Sequence, residues 1–190
     1  MNVKSITITG YKPHELNIFS DQDEKVGIIK KALKRKLVEY LDNGLEWVIL
    51  SGQQGVETWA FDVLQELKEI YQVKVALIPP FKDQDHIWKE DKQKKYQTLI
   101  QLADYYQPLS QKSYESPKQY FVKNKWFIEK TDGCILLYEE EFGGSPKYFY
   151  DLILKYEEQH EYNVTIINSF DLDDLAREMQ ELNQDNLNDV

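Results

Sequence analysis

The 190-residue sequence has a single cysteine, Cys134, and it lies inside an apolar run. An intramolecular disulfide is therefore excluded, and a lone buried thiol fits a reducing compartment. Basic charge is also scarce: 23 Lys and Arg face 33 Asp and Glu, for a formal net charge of -10. A chain this acidic has few clustered cations to release counterions from a phosphate backbone, which makes nucleic acid a poor partner. No apolar stretch approaches the length of a bilayer span, so no membrane insertion is expected. The first residues (VKSITITG) enter strand-like sequence without a signal-peptide pattern, and the expected location is cytoplasmic. Internal repeats and linkers are missing too, and no metal site is expected.

What is present is enough for one full hydrophobic core. With 42% apolar residues the chain reads as a single domain over residues 1–183, followed by a flexible acidic tail over 184–190. β-rich runs occur at Val3–Thr9, Trp47–Ser51, Val73–Ile78, Tyr105–Leu109, Cys134–Glu139 and Val164–Asn168. Helical patterns separate most of them. Asp23–Leu41 has acids at its start and Asn43-Gly44 at its end, with Val26, Ile29, Leu33 and Leu37 at helical spacing. Val56, Trp59, Ala60, Val63, Leu64, Leu67 and Ile70 predict a second helix over Val56–Tyr71. A third is expected around Trp88–Ile100. Ser116-Pro117 and Ser145-Pro146 each place a capping residue before a proline at the first helical position. The helix after Ser116-Pro117 is expected to bury Tyr120, Phe121, Phe127 and Ile128, and a last helix covers Leu172–Leu182. Alternating strands and helices, with strands that are continuous apolar runs, predict a doubly wound α/β fold: a mostly parallel sheet with helices on both faces.

In such sheets ligands bind beyond the carboxyl ends of the strands, which directs attention to three loops. In Thr9–Pro13 (TGYKP), Gly10 permits close backbone approach, Tyr11 offers a ring for stacking and Lys12 a positive charge. In Ser51–Glu57 (SGQQGVE), Gly52 and Gly55 allow N–H groups to converge at a helix start, while Glu57 sits in the first turn. The dinucleotide fingerprint Gly-x-Gly-x-x-Gly is absent, and this turn follows the second strand. In Phe142–Lys147 (FGGSPK), Gly144 and Ser145 open another helix and form a candidate phosphate site. Asn124 falls on the apolar face of its helix, where a buried amide needs a partner. Phe81 and Trp88 either wall a base pocket or belong to the core. The basic run Lys30–Lys36 reads as a solvated helix face.

Taken together, TGYKP, LEWVILSGQQGVETW, ADYY, YESPKQYFVKNKWF and GSPKYF resemble the YpsA family of small bacterial proteins, within the SLOG superfamily of Rossmann-like domains. The resemblance runs from about Ser5 to Ile167. It implies a Rossmann-like SLOG fold, a nucleotide or nucleotide-derived ligand such as an ADP-ribose derivative, a protein partner, and a connection with bacterial cell division. It also brings in two relatives, the LOG nucleotide phosphoribohydrolases and the DNA-processing protein DprA. Ser51-Gly52 and Gly55-Val56-Glu57 resemble the DprA pattern Ser-Gly-x-x-x-Gly-Ile-Asp, one residue shorter and with Glu57 in place of Asp. The LOG motif Pro-Gly-Gly-x-Gly-Thr-x-x-Glu keeps only its glycine pair here: Pro146, Lys147 and Tyr150 stand where Gly, Thr and the catalytic Glu are expected. The leading expectation is thus a cytoplasmic ligand-sensing module, with Gly10, Tyr11, Lys12, Gly52, Gly55, Glu57, Asn124, Gly144 and Ser145 at the site. Its rivals are a LOG-like N-glycosidic hydrolase, in which Glu57 is the catalytic residue if any is, and a DprA-like single-stranded DNA binder. The DNA reading needs Lys30–Lys36 and Lys123–Lys125 to merge into one patch. A homo-oligomer stays open.

Overall fold

A computed structural model describes residues 3–188. In chain order the elements are β1 (Ser5–Thr9), a short 3-10 helix (Pro13–Leu16), α1 (Glu24–Asp42), β2 (Trp47–Leu50), α2 (Val56–Leu67), β3 (Lys74–Leu77) and α3 (Glu90–Leu102). They continue with β4 (Tyr105–Tyr106), α4 (Lys118–Lys130), β5 (Gly133–Leu137), α5 (Lys147–Glu157), β6 (Asn163–Ile167) and α6 (Ser169–Asn188). The six strands form one sheet in the order β4-β3-β2-β1-β5-β6. Every pairing is parallel. This is the expected doubly wound α/β architecture.

Right-handed crossovers run outward from β1 to β4 and, in the other direction, from β5 to β6, which puts α1 and α2 on one face and α5 on the other. Lys30 of α1 and Lys95 of α3 both reach Asp62 of α2, at 2.8 and 3.1 Å, so α3 joins α1 and α2. α6 packs on α1, and α4 on α5. Ile6, Ile8, Val48, Leu50, Val75 and Leu77 fill the core beneath α1 and α2. At roughly 25 cal/mol per Å² of buried apolar surface, burial of this layer contributes strongly to stability.

The structure trims or redirects several expectations. β4 is two residues long because prolines at 79, 80 and 108 interrupt the ladder, yet Gln107 N and Leu109 N still bond to Leu77 O and Pro79 O at 3.1 and 2.9 Å. α2 ends at Leu67, leaving Ile70 exposed rather than on the buried stripe. Tyr120 and Phe121 are exposed, and the buried positions of α4 are Lys123, Phe127 and Ile128. Neither serine before a proline caps through its hydroxyl: Gln119 Oε1 takes the N–H groups of Glu115 and Ser116, and Ser145 turns to Glu15. The last helix runs through Asn188, so the tail expected from residue 184 falls on its final turn and on residues 189–190, which lie outside those described.

The order of strands reverses between β1 and β5. The loops after β1, β2 and β5 meet at that switch, and all three sequence candidates lie on this one rim.

Candidate functional site

The loop from Ser51 to Gly55 is organised by a carboxylate. Glu57, in the first turn of α2, is buried and its Oε2 accepts Ser51 N–H and Ser51 Oγ–H, each at 2.7 Å, while Gln53 N–H approaches at 3.4 Å. Its Oε1 accepts from Thr9 Oγ at 3.0 Å, tying β1 to the same turn. Four donors from its own chain thus surround Glu57. Hydrogen bonds of this kind to a charged group contribute about 1.5–3 kcal/mol each at most, and they fix the loop against the helix N-terminus.

Gly55 takes φ +99, and a Cβ there would lie 2.4 Å from Tyr11 O, against the backbone of the β1 loop. Val56 N–H bonds to that same carbonyl at 3.3 Å. The glycine therefore serves a crossing of two backbones, rather than an open face toward a ligand. Gly52 is hemmed in by the Tyr96 ring, and Gly10 by Leu137 and Val56.

Tyr11 is not the open stacking ring expected from its position. It is buried, with Phe142 edge-on at 5.6 Å, and its hydroxyl donates to Gly143 O at 2.9 Å and accepts from Glu139 N–H at 3.0 Å. Burial pushes its hydroxyl above the ordinary tyrosine range. Nearby, Glu15 fills the nest before α5: it accepts Ser145 N–H at 2.8 Å, Ser145 Oγ–H at 2.7 Å and Lys12 N–H at 2.8 Å. Burial raises the Glu15 carboxyl, but these donors outweigh it and the net position is below the usual carboxylate range. The groups expected at Gly144 and Ser145 to hold a phosphate thus already hold a carboxylate of the protein.

The residue that sequence reading passed over is Lys123. It is only 8% exposed, and among the described residues no ion pair or hydrogen bond reaches its Nζ. The ammonium lies over the Phe127 ring, 5.2 Å from its centroid. Burial pushes Lys123 below the ordinary lysine range; the charge of Glu57 works against that shift and the charge of Lys12 adds to it. Lys12 in the loop after β1, Glu57 at the start of α2 and Lys123 of α4 thus lie within electrostatic reach of one another. Asn124, the neighbour singled out from the sequence, is half-buried and makes no hydrogen bond to the described residues. The usable signal was the four-residue spacing from Lys123 to Phe127, which puts the lysine itself on the buried stripe.

A shallow cleft lies at Gln54 and Gly55, with Trp88, Lys92 and Lys95 along it. Trp88 is half-buried and packs edge-on against Tyr96 at 5.4 Å, whereas Phe81 is core, against Tyr114 and Tyr120. The enclosed part of this cleft is too narrow for a nucleobase, which leaves the charge cluster of Lys12, Glu57 and Lys123 as the candidate. The basic residues do not form one patch: Lys30, Lys34, Arg35 and Lys36 are paired with acids on the α1 face, while Lys123 is buried under the opposite one.

Residues 6–172 match the YpsA family model, described as the YspA SLOG family. The chain belongs to the YpsA family. It is 50% identical over 175 residues to a UPF0398 protein of Lysinibacillus sphaericus, covering 92% of this chain and 98% of that one. It is also 46% identical over 171 residues to the UPF0398 protein YpsA of Bacillus subtilis, covering 90% and 95%. Among solved structures, DNA processing protein A of Streptococcus pneumoniae is similar with a TM-score of 0.49 and 10% identity, over 86% of this chain and 59% of that one. No described helix of this YpsA-family chain is long and apolar enough to cross a membrane.

Proposed function

We propose that this protein is a cytoplasmic sensor that binds a phosphate-bearing, nucleotide-derived ligand at the charge cluster of Lys12, Glu57 and Lys123. The observation that carries this reading is Lys123, a mostly buried lysine whose ammonium pairs with no carboxylate among the described residues. Burying most of such a side chain is costly unless its charge is met, and although the Glu57 charge is near, no carboxylate among the described residues pairs directly with the ammonium. Glu57 belongs to the first turn of α2, and a helix N-terminus favours negative charge beside it. Glu57 then acts indirectly, by holding the loop in shape, and the remaining acceptor capacity of its Oε1 is what a ribose hydroxyl would use.

Binding without turnover is the favoured form. Tyr150 stands where the LOG-type glutamate is expected and its ring packs on Tyr138 at 5.0 Å. A part in cell-division control, through a protein partner, rests on the family resemblance alone.

The test is a thermal-shift and calorimetric series with AMP, ADP-ribose and ribose 5-phosphate against the unphosphorylated nucleosides. Ligand at a hundredfold excess over Kd stabilises the fold by about 2.7 kcal/mol, a visible rise in Tm. A rise with the phosphorylated compounds, lost in Lys123→Met, is expected, with no free base by chromatography. Absence of any rise with the wild-type protein overturns the reading.

A further inference from the structure

Large apolar side chains are left in water after the carboxyl ends of β5 and β6. Phe142 is 61% exposed, Tyr148 74% and Phe170 75%, all beside the ends of β5 and β6. Clustered exposed aromatics of this kind mark interaction surfaces more often than scattered single ones do.

The β5 and β6 halves of this rim form one unit. Glu139 Oε2 accepts Ser169 Oγ–H at 2.6 Å and Ser169 N–H at 3.2 Å, which pins the segment leading to Phe142 beside the one leading to Phe170. Around these rings stand Glu140, Glu141 and Asp173, exposed and without a hydrogen bond to any described residue. Neither segment, 139–142 nor 169–174, contains a lysine or arginine, and Lys147 close by is taken by Asp151 at 2.8 Å. Aromatic anchors ringed by unpaired carboxylates are complementary to a surface of apolar residues flanked by lysine or arginine.

We propose that this rim is a docking face for a basic protein segment carrying apolar anchors, such as an amphipathic Lys-rich helix. The proposal extends the sensor reading by giving the partner a place and a chemistry. Tyr11 connects the two, since its hydroxyl bonds both Glu139 N–H and Gly143 O in the docking loop while its backbone carbonyl meets Val56 N–H at the start of α2.

The experiment uses the full-length, ligand-free protein and two fluorescein-labelled helical peptides, one of alternating Lys and Leu heptads and one with Glu in place of Lys. Fluorescence anisotropy should show at least tenfold tighter binding of the Lys peptide, weakening as salt rises. The double variant Phe142→Ser/Phe170→Ser keeps the net charge, so a general attraction of the acidic protein for cations would survive in it. It is expected to lose at least tenfold in affinity while its Tm stays within a few degrees of wild type. Should the double variant unfold, Glu140→Gln/Glu141→Gln, both exposed, supplies the second reading and should lose at least threefold. Equal binding by the folded variants, or no preference for the Lys peptide, overturns the proposal. Neither result touches the ligand reading, which is decided by the thermal shifts.

Discussion

Ser51 and Glu57 are bonded twice, backbone N–H and side-chain hydroxyl to one carboxylate oxygen, both at 2.7 Å. The consequence is that Glu57 contributes first to the fold of the loop. In Glu57→Gln the amide oxygen can still accept from Ser51 and the NH2 can face Thr9 Oγ, so the loss is charge assistance alone, about 1–2 kcal/mol of stability. Glu57→Ala leaves Ser51 N–H buried without a partner and should cost more than the Gln variant. Urea unfolding of the three proteins decides this; equal stability of wild type and Ala variant would mean the carboxylate is held for something other than the loop.

Gly55 and Gly143 offer a controlled pair. Both have positive φ, +99 and +68, but a Cβ at Gly143 meets nothing within 4 Å, whereas at Gly55 it meets Tyr11 O at 2.4 Å. Gly143→Ala should lose only the left-handed backbone penalty, about 1–2 kcal/mol. Gly55→Ala should lose that and the crossing of the β1 loop, so its Tm falls further. At about 2–4 °C per kcal/mol for a domain of this size, calorimetry resolves the difference, and equal losses would show that the β1 loop gives way freely.

Periodicity and local signals made the scaffold legible. The stripe through Val56 to Leu67 and the capped start of α1 at Asp23, which accepts Lys25 N–H at 2.9 Å, are short-range features that a sequence displays directly. The rim was legible as well, because the ends of parallel strands must share an edge. What stayed hidden was set by long-range contacts. Ser145 met Glu15, 130 residues away, and Tyr11 met the loop at Glu139 and Gly143. A lysine in the run Lys123–Lys125 reads as solvent-facing by type, and only the packing of α4 against β1 and α5 makes Lys123 the buried member.

Acid should loosen two ties of this kind. Glu15 and Asp104 both sit below the ordinary carboxylate range: burial raises each, and it is outweighed by Lys12 N–H and Ser145 for Glu15, and by Lys68 and Val75 N–H for Asp104. A carboxyl with a depressed folded pKa stabilises fully above its unfolded value, about 4, and that stability is lost as pH falls through the folded pKa. Wild type should therefore lose stability below about pH 4 more steeply than Glu15→Gln or Asp104→Asn, which start lower and change less. Parallel curves for wild type and both variants in acid urea titrations would count against these ties.

Lys123 reverses the sign, and for that reason it separates a residue kept for a ligand from one kept for the fold. Its folded pKa lies below the unfolded value of about 10.4, so the folded state binds fewer protons than the unfolded one across the interval between them. The penalty for burying the ammonium is complete below the folded pKa and fades as pH rises toward the unfolded value. Lys123→Met keeps most of the volume and carries no charge. At neutral pH it should be as stable as wild type or more stable by up to about 2 kcal/mol, and the gap should narrow as pH rises toward 10. Glu57 and Lys12, the charged groups that face Lys123, are unchanged in both proteins, and the comparison cancels other titrations. Urea unfolding between pH 7 and 10 supplies the measurement. A Met variant clearly less stable than wild type at pH 7 would show that Lys123 holds the fold together, and the ligand reading would lose its main support.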